Sequence, residues 1–146
     1  MITIVVANQG QAQIYETQRL GEKLESVASL KNASAHLTEH ELTRDASGRN
    51  MNRATGMHQT YGPGPVLRQT ATHRFAQAIA DALNEKMNKG DGSKMVLVAE
   101  PRFLAEIKRA CTRRVLGNIA RELRKDLAHE STQRIIERLR LLRASA

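Results

Sequence analysis

Carboxylates and histidines could hold a catalytic metal, and in this chain they are scattered along the sequence. Two-metal phosphoryl chemistry needs acidic side chains that converge on ions roughly 4 Å apart. Residues 1–15 contain no Asp or Glu, and the first apolar run ends in Ala7-Asn8. Glu100 follows a second apolar run, while Asp45 and Asp126 lie elsewhere and could meet it only through folding. His36 and His40 stand at i, i+4, a spacing that could grip zinc on a helix, but no cysteine or further histidine nearby completes a tetrahedral set. They read as an exposed pair, and His58, His73 and His129 as isolated. The single cysteine, Cys111, excludes an internal disulfide and a CxxC site, and reads as a small buried residue on a helix. No GxSxG, P-loop or GxGxxG pattern is present. No catalytic residue, metal or cofactor is therefore expected.

Arginine is the side chain whose placement carries more information. The chain has 23 Lys+Arg against 15 Asp+Glu, unevenly spread: residues 1–43 net −2, residues 44–100 net +3 and residues 101–146 net +7. A basic half favours polyanions, because each neutralised phosphate releases condensed counterions. Within residues 44–68, Arg44, Arg49, Arg53 and Arg68 supply phosphate-binding groups, with His58 and Gln59 as polar partners and Tyr61 as a stacking surface. Arg134 and Arg138 add charge on a C-terminal helix. With two Phe and two Tyr in the whole chain, base-reading platforms are not expected, so recognition would be of backbone and shape.

These side chains need a scaffold, and 146 residues suit one domain that buries roughly 70% of its unfolded surface without disulfide or metal. Met1-Ile-Thr-Ile-Val-Val-Ala7 is a β-branched run fit for a strand covered on both faces. Asn8-Gln9-Gly10 is a turn, and Gln11 to Glu16 alternates, so a hairpin follows; Leu24, Val27 and Leu30 suggest a third strand. Residues 44–68 have four glycines, two prolines and almost no periodicity, which predicts a long basic loop. From Thr70 or Thr72 a helix begins, with Phe75, Ile79, Leu83 and Met87 as its apolar stripe. Met95 to Ala99 is a second buried strand, and Pro101 opens a helix with Phe103, Leu104, Ile107 and Cys111 inward. Residues 115–127 fit either a helix or a break and a strand. Ser131 caps a last helix with Ile135, Ile136, Leu139 and Leu142 inward and Arg134, Arg138, Arg140 and Arg143 on its outer side. The fold class is α/β, a mixed sheet with helices packed on it. No apolar run approaches the roughly 18 residues of a membrane span. The N-terminal run is too short and lacks a preceding Lys or Arg for a signal peptide, so a cytoplasmic protein is expected.

Five segments in order, Val5 to Glu16, Glu41-Leu-Thr-Arg-Asp-Ala-Ser-Gly-Arg49, His73 to Leu83, Met95 to Leu104 and Arg124-Lys-Asp-Leu127, together resemble the bacterial host-attachment protein family over nearly the whole chain. That family is similar to the middle domain of archaeal and eukaryotic peptide-chain release factors. The resemblance implies a ribonuclease H-like fold and a strand over residues 117–123. It also places the basic loop where release factors carry a Gly-Gly-Gln tripeptide. Here the loop holds Gly56-Met-His-Gln59 and Gly62-Pro-Gly64 instead, so peptide release is not expected. The reading is a non-catalytic domain binding RNA or the ribosome through Arg44, Arg49, Arg53, His58, Gln59, Tyr61, Arg68, Arg134 and Arg138. The alternatives are a protein-interaction or attachment module, or a hydrolase acting on RNA or peptidyl-tRNA.

Overall fold

The computed structural model describes residues 1–32, 63–90 and 92–144, with residues 63–68 described by backbone alone. The first apolar run forms β1 (Ile2–Ala7), and the Asn8-Gln9-Gly10 turn folds β2 (Gln11–Thr17) back on it, Val5 opposite Ile14. β3 (Glu25–Lys31) then pairs antiparallel to β2. The second apolar run is β4 (Lys94–Val98), which joins β1 in parallel with Leu97 beside Val5, and β5 (Ile119–Leu123) extends the sheet in parallel beyond it. The order is β3-β2-β1-β4-β5. Mixed pairing follows from the connections: tight turns join the first three strands, and helical crossovers precede β4 and β5.

Period-2 alternation sends the two apolar strands to two cores. On one face Val5, Ala7, Ile14, Met95 and Leu97 meet α1 (Pro63–Asn88), α2 (Pro101–Ala110) and the short α3 (Arg113–Gly117). The α1 stripe of Phe75, Ile79, Leu83 and Met87 is fully inside, and the ring of Phe75 stacks on that of Phe103 with centroids 6.1 Å apart. Lys86 Nζ, near the end of the same helix, pairs with Glu16 of β2 at 2.5 Å. On the other face Ile4, Val6, Tyr15, Val96 and Val98 are covered by Ile135 and Leu139 of α4 (Thr132–Ala144), with Leu20 and Leu24 from the β2–β3 turn.

Four local expectations are corrected. The basic loop expected to end at residue 68 gives way to helix at Pro63, since prolines at positions 63 and 65 fall in the first turn, where no backbone N–H is needed. The strand expected from Gly117 begins at Ile119, because Thr112 caps a helical turn through Val115 N that runs to Gly117. Cys111 is half-buried at the C-cap of α2, outside the helix proper. Arg140 and Arg143 do not simply face solvent: they reach back to the carbonyls of Gly21 (3.0 Å) and Leu20 (3.3 Å) and clamp the β2–β3 turn under α4.

Candidate functional site

Because β1, β4 and β5 are mutually parallel, their carboxyl ends lie together, the usual position for ligand sites in open α/β sheets. Asn8 leaves β1 at this end and is 8% exposed. Its Oδ1 accepts from the backbone N–H groups of Gly10 (2.8 Å) and Gln11 (2.9 Å), which fixes the orientation of the amide. The Nδ2 group therefore points outward as a donor, 3.0 Å from His129 Nε2 and 3.5 Å from Asp126 Oδ1. With the amide held this way, His129 Nε2 takes the acceptor role in the contact. Asp126 Oδ1 also accepts from Ala128 N, and Gln11 Nε2 donates to Ala128 O at 3.0 Å. The segment from Arg124 to Ser131 is thus tied to the end of β1 by side-chain amides.

Two helices start from the same rim. Glu100, following β4, caps α2 by accepting from Phe103 N at 2.7 Å, and Ser131 caps α4 by accepting from Arg134 N at 3.2 Å. Glu100 and Asp126, two of the carboxylates that folding alone could bring together, are each engaged in turn or cap geometry. Among the described residues no group of three or more His, Cys, Asp or Glu side chains could hold a metal ion. His73 lies apart on α1, 3.4 Å from Glu106.

The same end receives both flanks of residues 33–62. Asn32 donates its backbone N–H to Gly10 O and its Nδ2 to Gln9 O, each at 3.0 Å, and approaches Ala71 O of α1 at 3.4 Å. At roughly 1.5 Å per residue, the 26 residues of α1 span about 39 Å. Among the described side chains of this helix, Phe75, Ile79, Leu83 and Met87 form the buried stripe.

The structure places the expected contact residues unequally. Arg134 and Arg138 are exposed, one turn apart on α4, and form no ion pair among the described residues. Arg68 lies within the α1 backbone. Arg44, Arg49, Arg53, His58, Gln59 and Tyr61, like His36 and His40, lie outside the described residues. Asn8, Gln11 and His129 were not anticipated as a group. The turn at Asn8 was legible, but its partners more than a hundred positions away were not.

A family model described as "protein required for attachment to host cells" matches residues 3–139, from β1 into α4. The chain belongs to this host-attachment family. The match takes in the whole five-stranded sheet and the Asn8–His129 rim. No curated protein matches the sequence. Among the described residues of this family member, no helix is long and apolar enough to cross a membrane.

Proposed function

We propose that this host-attachment family member is a non-catalytic, release-factor-like domain of ribonuclease H-like fold that binds RNA or the ribosome in the cytoplasm. The fold reading is supported by the order β3-β2-β1-β4-β5, antiparallel through the first three strands and parallel thereafter. The observation that carries the binding reading is the placement of charge. Arg134 and Arg138, without ion-pair partners among the described residues, rise from the sheet end to which both flanks of residues 33–62 are anchored. Arg44, Arg49, Arg53, His58, Gln59, Tyr61 and Arg68 would complete a phosphate-contacting surface there. Engaged carboxylates and the missing Gly-Gly-Gln argue for binding without peptide release.

Co-sedimentation with ribosomes across a salt series tests this. The expected result is association at low salt that falls steeply as salt rises, with Arg134→Glu/Arg138→Glu reducing the log–log salt slope by about 2. A protein that stays in the supernatant at the lowest salt, or a double variant that pellets like the parent, sinks the proposal. The family description favours a second reading, an attachment module. Recovery of the native protein at the cell surface would support it.

A further inference from the structure

β5 stands at one end of the sheet, and among the described residues no strand pairs with its outer edge. Exposed edges are normally blunted by proline, by bulges, or by charged side chains that sweep across the unpaired backbone. Ile119-Ala-Arg-Glu-Leu123 contains no proline or glycine; its one irregularity, where Ala120 is passed over between the Met95–Ile119 and Val96–Arg121 pairs, leaves Arg121 to Leu123 in regular pairing, and the two long side chains of that stretch are held elsewhere. Arg121 Nη1 donates to Leu142 O of α4 at 3.1 Å, on one face of the sheet, while Glu122 pairs with Lys108 of α2 at 2.6 Å, on the other. Neither lies across the edge. What remains is an open groove of about 560 Å³ lined by Ile119, Ala120, Arg121, Glu122 and Arg124.

The unpaired charge on the residues that flank this edge most closely is positive. Arg114 precedes the strand and Arg124 and Lys125 follow it, all exposed and without ion pairs among the described residues, and the strand's one carboxylate is neutralised by Lys108. A second copy of the chain would bring the same arginines across the seam. RNA has no ladder of N–H and C=O groups to match a strand edge. We propose that the outer edge of β5 takes an extended, acidic peptide segment of a partner protein as a sixth strand. Main-chain hydrogen bonds would supply register and the flanking arginines selectivity for negative charge. Neither Arg134 nor Arg138 lines this groove, and the proposal does not depend on RNA binding.

The test titrates the isotope-labelled full chain with a short peptide of alternating Glu and Val. Two peptides serve as controls: one with alternate amides N-methylated, and one with Lys in place of Glu. Amide shifts and exchange protection are expected within residues 118–124, with much weaker binding of both controls. Arg114→Glu/Arg124→Glu should weaken binding by up to about tenfold, as two exposed ion pairs are lost, whereas Arg134→Glu/Arg138→Glu should leave it unchanged. Perturbations centred elsewhere overturn the proposal, as does equal binding of the N-methylated or Lys peptide. So does a chain that dimerises through β5 in place of binding peptide. The comparison between peptides needs no variant, so a misfolded variant cannot mask the result.

Discussion

At the scale of single residues, Asn8 and Gln11 tether the Asp126–His129 segment to the end of the sheet, and Cys111 sits half-buried behind α2. Burial pushes the Cys111 thiol from 9.0 up to about 11. Below pH 9 both folded and unfolded chains keep this proton. Between pH 9 and about 11 the unfolded chain releases it first, so this contribution to stability falls as pH rises, and above that it is gone. Denaturant unfolding over this range should show a steeper decline for the parent than for Cys111→Ala. Parallel curves would show that the thiol is not shielded. Cys111 was legible as an unpaired thiol because one cysteine has no partner, whereas its half-buried place at a C-cap was not. Asn8 was legible as a turn residue, since Asx turns are local. Its bond to His129 was not, because no local pattern reports a contact that topology alone creates.

Elements that bury a continuous stripe were the most legible. The apolar runs of β1 and β4 and the Phe75–Met87 stripe are intrinsic to spacing, and the structure keeps all three. Boundaries were harder: α1 starts at Pro63, within a stretch whose glycines and prolines read as loop, and β5 is short and only partly buried, so its apolar residues satisfied two periods at once. The outer face of α4 divides similarly. Arg134 and Arg138 stay exposed, while Arg140 packs against Gly21, whose φ of +94° would strain any side chain and where an added Cβ would sit 2.9 Å from Arg140 Cβ. Gly21→Ala should therefore cost about 2 kcal/mol in equilibrium unfolding. Gly92→Ala, with no atom within 4 Å of the new methyl, should stay within about 0.5 kcal/mol of the parent. Equal effects at the two sites would show that the α4 clamp does not constrain the turn.

For the molecule as a whole, a central sheet with an apolar core on each face means that neither helical layer is dispensable. The first core is closed by α1, α2 and α3, and the second by α4 with the β2–β3 turn. A chain ending at Glu130 should bare Ile4, Val6, Val96 and Val98, bind hydrophobic dyes and lose its cooperative thermal transition. A truncated chain that melts sharply would show that the second core is not needed. Charge asymmetry was legible at this scale from counting alone. Its division between tethered and unpaired arginines was not, because that depends on which carbonyls α4 meets. The position of α4 also sets an order of events during synthesis. At roughly 5–20 residues per second, the β1 side chains Ile4 and Val6 wait on the order of ten seconds for Ile135 and Leu139 to be translated. A nascent chain thus carries a half-finished, sticky sheet until α4 leaves the exit tunnel, and chaperone demand should peak just before α4 emerges.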